Sequence, residues 1–271
     1  MGNLQGKIAV VTGASRGIGK GVAIALGEQG CTVYVTGRTA GEGERTIDTT
    51  ARLVTEAGGE GRAIQCDHGD DAQIEALFQK IGEQVDHIDI LVNNVYKIPS
   101  PPAWGGGYWD HPIQVWDDQV GIGLRAHYVA SWHAAQLMFN SDGAAMMNIS
   151  SPGGQEYHFS SSYGAGKAGL DRLTADMAIE LKPKNIPAVV IYPGSVATEF
   201  IQDAAKEREM DLSQAQTPLL VGRAVAALLA TDNLMERTGS IQWVENLIAE
   251  FDLYDEHGSR PTVRYADRAH A

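Results

Sequence analysis

The chain has 271 residues, 44% of them hydrophobic, a formal net charge of −13 and two cysteines. That length and apolar content suffice for one large core or two small ones, and the acidic balance opposes nonspecific attraction to nucleic acid or anionic membranes, although a local basic pocket can still take a phosphorylated ligand. Cys31 and Cys66 form no C-x-x-C pair or ligand cluster, which excludes a disulfide framework or thiolate metal site and favours a reducing compartment, with both residues acting as small buried hydrophobes.

In chain order, short continuous apolar runs rich in β-formers occur at KIAVVT (7–12), TVYVTG (32–37), RAIQC (62–66), IDILVNN (88–94), AAMMNIS (144–150), PAVVIYP (187–193) and SIQWV (240–244). Each reads as a strand buried on both faces, the pattern of a parallel sheet. Between them, apolar residues recur with helical period: Ile18, Val22, Ala25 and Leu26; Ile74, Leu77, Phe78 and Ile81; Val221, Val225, Leu228 and Leu229. The alternation predicts an α/β chain, a single doubly wound (Rossmann) domain over 1–271 with a seven-stranded, mainly parallel sheet and helices on both faces. The opening MGNLQGKIAVVTG has no charged region leading into a long apolar run, and no stretch of about 18 apolar residues occurs. A cytoplasmic protein without a membrane span is expected. Two stretches escape the periodicity, 95–112 and 195–216. Each follows a strand at its carboxyl end, where open α/β sheets bind ligands, and 195–216 is expected to be a substrate loop region.

At the end of the first strand stands TGASRGIG, residues 12–19. Gly13 permits a sharp turn, Gly17 and Gly19 permit close approach of a pyrophosphate, and the amides at the start of the next helix face the anion; Ser15 and Arg16 complete the turn. At the end of the second strand, TGRT puts Gly37 where an acid for a ribose 2′-hydroxyl would stand, followed by Arg38. A guanidinium in place of a carboxylate favours a 2′-phosphate, with Arg16 as a second positive charge. NADP(H) is therefore the expected cofactor, NAD(H) remains possible, and no metal is expected.

SYGAGK, residues 162–167, sets a phenol and an ammonium four residues apart, one turn of helix. With TGASRGIG it occurs alongside CD at 66–67, NN at 93–94, NISS at 148–151 and PGSVAT at 193–198. In order and approximate spacing this set resembles the short-chain dehydrogenase/reductase family over roughly residues 5–248. SSPGGQEYHF, VGIGLRAHY and DEHGSRP resemble a narrower group within it. The resemblance implies hydride transfer between NADPH and a carbonyl or secondary alcohol. It makes Tyr163 the acid/base and Lys167 the residue that lowers the phenol pKa and bonds the nicotinamide ribose, consistent with an ammonium favouring a phenolate. It further implies that Ser151, with Ser150 as the alternative, donates to the substrate oxygen. Counting from Asn148 along the fifth strand favours Ser151, because register fixes the face a side chain takes. Carried over residue by residue, Asp67 meets the adenine edge and Asn93 lines the cofactor groove, although a purely structural role, capping or turn-forming, fits both nearly as well. Ile18 covers the pyrophosphate, Pro193, Gly194 and Val196 shape the nicotinamide turn, and Thr198 bonds the carboxamide. Homodimers or homotetramers through the fourth and fifth helices are expected.

Two departures from the family pattern stand out. NNVY replaces NNAG, so Val95 and Tyr96 make that loop bulkier, and Gly123 occupies the place where many members carry the Asn of a proton relay. The aromatic residues Tyr96, Trp104, Tyr108, Trp109, Tyr157, His158, Phe159 and Tyr192 predict a pocket for a bulky apolar ketone or aldehyde, or else simple loop packing. His127 and His133 lack metal-ligand spacing. Competing readings are an NADP(H)-binding sensor with little turnover and an NAD-dependent alcohol dehydrogenase.

Overall fold

The structure, a computed structural model, describes residues 4–262; the ends of the 1–271 span expected for the domain lie outside the described residues. Seven strands form one sheet in the order β3-β2-β1-β4-β5-β6-β7: β1 (Ile8–Val11), β2 (Thr32–Gly37), β3 (Glu60–Gln65), β4 (Ile90–Asn93), β5 (Ala145–Ile149), β6 (Ala188–Tyr192) and β7 (Ile241–Trp243). Every pairing is parallel, where sequence allowed a mainly parallel sheet. Each of the seven apolar runs contributes one strand. The strand order reverses between β1 and β4, which places a crevice at their carboxyl ends.

Helices cover both faces because strand residues alternate between two cores. Ala9, Val11, Val33, Val35, Ile90 and Val92 pack under α1 (Gly17–Glu28), α2 (Ile47–Glu56) and, from the carboxyl end of the chain, Pro218–Leu229 and Val244–Glu250. Val10, Tyr34, Leu91 and Met146 face the opposite core with Ile74, Leu77, Phe78 and Ile81 of α3 (Asp71–Gly82). Truncating Leu77 there costs about 2–5 kcal/mol, as for other filled core sites.

After β4 the chain runs through the 95–112 loop into α4 (Gln114–Trp116), a π-helical stretch Asp117–Arg125 and α5 (Ala126–Met138). The remaining helices are α6 (Ser161–Leu181), α7 (Glu199–Arg208), α8 (Pro218–Leu229) and α9 (Val244–Glu250). The 195–216 stretch is thus helical in its middle. Its sequence EFIQDAAKER carries only a short apolar stripe, Phe200, Ile201, Ala204 and Ala205, among charged residues, and Thr198 accepts a hydrogen bond from the Ile201 amide and caps it. Cys31 and Cys66 are free and buried, and burial pushes both thiols up to about 12.

Candidate active site

The crevice is laced from both of its walls. Thr12 Oγ1 accepts the amides of Asn94 at 2.9 Å and Val95 at 3.1 Å, while Asn94 Nδ2 donates to the carbonyls of Thr12 and Gly13. Gly13 sits at φ +65°, and a Cβ there would lie 2.7 Å from Val95 Cα, so both conformation and space demand glycine. A Cβ at Gly19 would lie 2.6 Å from the Gly13 carbonyl oxygen. α1 then begins without a side-chain cap and without an acid in its first turn. The Gly17 amide instead donates to Glu199 Oε2 at 2.8 Å, from the start of α7. An anionic oxygen at this helix N-terminus, within a cradle that side chains would fill, shows that the donors here suit a phosphate.

PGSVAT folds over the same turn. Pro193 is buried, Gly194 and Thr198 are half-buried, and Val196 is buried and pairs with Gln216. The Thr198 methyl lies 3.4 Å from where a Gly17 Cβ would be. Ser15 is buried and accepts from Arg16 Nε at 3.4 Å, and Ile18 packs half-buried on the core.

At the β2 end, Arg16 Nη2 donates to Thr39 Oγ1 at 3.0 Å, which carries its guanidinium across to the loop after Arg38. Arg38 Nη1 faces Asp67 Oδ2 at 4.0 Å, both exposed. Asp67 Oδ1 accepts the Gly69 amide at 2.9 Å, so this residue also forms a turn. Asn93 departs from the expected place: it is fully buried, and Nδ2 donates to Ser131 Oγ and Asn148 Oδ1, both at 2.9 Å. Strand alternation turns its side chain into the layer under α5 and α6, and Asn94 faces the crevice in its stead.

Ser160 caps α6 by accepting the Tyr163 amide at 3.2 Å. One turn on, Lys167 is 7% exposed and its Nζ donates to the Ile149 carbonyl at 3.1 Å, at the carboxyl end of β5. Desolvation lowers its pKa to about 8, against the opposing pull of Asp171. Nζ lies 5.9 Å from the centroid of the Tyr163 ring. Asp171 is itself shifted upward by burial and accepts from Tyr192 Oη. The two serines separate clearly. Ser150 is 3% exposed, its Oγ 3.4 Å from the Lys167 carbonyl. Ser151 is half-buried and its Oγ accepts the Gly153 amide at 3.2 Å. Gly153 in turn carries the Tyr163 ring, whose Cε1 is 2.5 Å from the position of a Cβ there.

A row of rings crosses the mouth. Tyr96 meets Tyr163 edge-on at 5.8 Å between centroids, Phe159 meets Tyr163 at 5.2 Å, and Trp104 meets Phe159 at 6.2 Å and Phe200 at 5.5 Å. Phe159 adopts φ +59°, a left-handed conformation uncommon for a bulky residue and one that surrounding packing must sustain. Tyr108, Trp109 and Tyr157 do not join the row, being more than 70% exposed. Tyr192 lies buried against Trp243. His127 is buried, with Nε2 2.8 Å from the Val95 carbonyl oxygen, and desolvation lowers its pKa to about 3. Phe200, Glu199 and Gln119 reach this region without having been singled out from sequence; an acid next to the Thr198 cap was the one available signal.

This crevice at a topological switch point, with its glycine cradle and a Tyr/Lys pair beside it, agrees with the family comparison. Residues 7–209 match the short chain dehydrogenase family model, and the chain belongs to the short-chain dehydrogenase/reductase family as an NAD(P)-dependent oxidoreductase. Within that family it is similar to Dehydrogenase/reductase SDR family member 1. The Mus musculus protein is 34% identical over 282 residues, covering 99% of this chain and 88% of the relative, and the Homo sapiens protein is 35% identical over 276 residues, covering 97% and 87%. The narrower resemblance of SSPGGQEYHF, VGIGLRAHY and DEHGSRP is to this type. Among solved structures, a short chain dehydrogenase from Burkholderia cenocepacia J2315 in complex with NADP superposes with a TM-score of 0.76 at 27% identity, covering 89% of this chain and 97% of that one.

Proposed function

We propose that the protein is an NADP(H)-dependent reductase of bulky apolar ketones or aldehydes, with Tyr163 as proton donor, Ser151 as donor to the substrate oxygen and Lys167 as the cation that tunes the phenol. The observation that carries this reading is Lys167: a buried ammonium fixed to the Ile149 carbonyl and 5.9 Å from the Tyr163 ring centroid. A positive charge in a desolvated site stabilises the phenolate left by proton transfer far better than it would in water. Ser151 rather than Ser150 suits the substrate, since Ser150 is sealed under α6. When bound, the reduced nicotinamide supplies the hydride. Gly13, Ser15, Gly17, Ile18 and Gly19 would hold the pyrophosphate, Asp67 the adenine, and Pro193, Gly194, Val196 and Thr198 the nicotinamide end. The 2′-phosphate preference rests on Gly37 leaving no acid there and on Arg16 and Arg38 flanking that loop.

The row Tyr96, Tyr163, Phe159, Trp104 and Phe200 supports an apolar substrate with flat surfaces. Exposed Tyr128 and Trp132 on α5 and Ile179 on α6 support homo-oligomerisation through these helices. The free buried thiols support a cytosolic site. The test is reduced-cofactor consumption against steroid, quinone, aldehyde and aromatic ketone panels with NADPH and NADH in parallel. NADPH-dependent turnover that Tyr163→Phe abolishes supports the reductase; tight NADPH binding without turnover on any panel member favours the sensor reading.

A further inference from the structure

We infer that Tyr96 is a positioning residue: its ring, admitted by the missing side chain of Gly123, offers one face to the Lys167 ammonium and sets the tilt of the Tyr163 ring at its edge. This rests on the reductase reading above and assigns work within it to a residue outside the Tyr/Lys/Ser set.

A connected set of contacts defines the arrangement. Lys167 Nζ lies 5.4 Å from the Tyr96 ring centroid, closer than to the Tyr163 ring. The two tyrosine rings stand at 85° to each other. At its outer end the Tyr96 hydroxyl accepts from Gln119 Nε2 at 3.1 Å, and Gln119 Oε1 accepts from Ser160 Oγ at 2.9 Å and Ser162 Oγ at 2.5 Å. Ser160 is also the cap of the turn that carries Tyr163. Both the face and the tip of Tyr96 therefore end on groups that place the Tyr/Lys pair.

Gly123 makes room. It lies in the π-helical stretch Asp117–Arg125, and a Cβ there would be 3.2 Å from Tyr96 Cδ2 and 3.5 Å from Cε2. α6 packs hard against the same stretch, where a Cβ at Gly166 would lie 3.0 Å from the Gln119 carbonyl oxygen. The ring is thus wedged between the π-helical stretch and the ammonium, with no free rotation to absorb added bulk.

A buried ammonium with one carbonyl partner has lost most of its hydration, and an aromatic face returns part of it. The other charged or titratable groups around Lys167 are Asp171 and Tyr163 on its own helix and His127 on α5; Tyr192 on β6 acts through Asp171, and Asp118, paired with Lys97 at 2.7 Å, acts on Tyr96. His127 is neutral near pH 7. Removing the ring leaves the ammonium less supported, so its midpoint falls.

The measurement is a pH titration of Lys167 by NMR of 13Cε-labelled lysine, assigned with Lys167→Arg, in the wild type and in Tyr96→Phe, Tyr96→Leu and Gly123→Val. The expected result is a midpoint lower by about half a unit to one unit in Tyr96→Leu and Gly123→Val, with Tyr96→Phe at the wild-type value. The alkaline limb of NADPH-dependent ketone reduction moves by the same amount. A Tyr96→Leu midpoint superimposed on wild type overturns the inference, as does a Tyr96→Phe shift as large as that of Tyr96→Leu, which would assign the effect to the hydroxyl and not to the ring face. If circular dichroism shows Tyr96→Leu unfolded, Gly123→Val decides alone on the same criterion. Because the titration needs no turnover, an inactive wild type counts against the reductase reading and leaves the positioning claim to be judged by the midpoints.

Discussion

The two ends of the crevice are built in opposite ways. At the β1–β2 end the turn presents backbone amides and carbonyls, bared by Gly13, Gly17 and Gly19 and locked by Thr12 and Asn94. At the β4–β6 end the groups gathered are side chains, Tyr96, Ser151, Phe159, Tyr163, Lys167 and Phe200, from position 96, the 151–167 segment and the start of α7. The first end suits a ligand part common to many enzymes, because backbone amides bared by glycine recognise an anion whatever is attached to it. The second suits a variable ligand, since its rings come from loops and helices rather than from the strands of the sheet.

The largest expected contrast comes from the side-chain end. Tyr163→Phe should lower turnover by about 10²–10⁴-fold, the range for loss of a general acid, while NADPH binding followed by fluorescence stays intact. A loss of binding in step with turnover would blur the division between the ends.

Next in size is Lys167→Met, read through stability. The folded value of about 8 lies below the ordinary 10.5, so the folded chain binds fewer protons than the unfolded one between these values. Stability contributed by Lys167 therefore rises with pH through that window. Relative to the variant, the wild type should gain up to about 3 kcal/mol from pH 8 to 10.5 in denaturant titrations. Parallel curves would mean that the ammonium is not desolvated.

At the backbone end, Arg38→Ala should reduce the preference for NADPH over NADH by about 10- to 100-fold, the worth of a charge-assisted contact to a phosphate. Its pairing with Asp67 is exposed and long, so thermal stability should hardly move. An unchanged ratio of dissociation constants would leave the 2′-phosphate without Arg38. The smallest effect belongs to Glu199→Gln. This carboxylate occupies the Gly17 amide, and neutralising it should tighten NADPH by about 2- to 5-fold in the same fluorescence titration; weaker binding would show that Glu199 assists the dinucleotide.

Legibility in sequence follows the same division. TGASRGIG and the seven apolar runs are local signals, and the structure turns each run into a strand of the parallel sheet. Tyr163 and Lys167 stand one turn apart on α6, a spacing any helix guarantees. What sequence did not show depends on tertiary approach. NNVY and Gly123 read as two separate departures, whereas Tyr96 fills the space beside Gly123 and the two are one feature. Asn93 reads from its motif as either groove-lining or structural, and the alternation of β4 turns it inward. Of the aromatic residues counted from sequence, only those that packing gathers form the row, and Phe200 enters it from a short helix whose apolar stripe spans little more than one turn.

The three residues of β7 carry a consequence beyond the crevice. The outer edge at β3 is guarded by Glu60, Arg62 and Gln65, whose polar side chains discourage another strand from adding there. β6 has no such guard: Ala188, Val189, Val190, Ile191 and Tyr192 are all buried, and β7 alone pairs its far side. A chain ending near residue 209, where the family match stops, would retain the Tyr/Lys pair yet bare an apolar strand edge prone to self-association. Such a chain would also lose α8 and α9, whose buried residues complete the core under that side of the sheet.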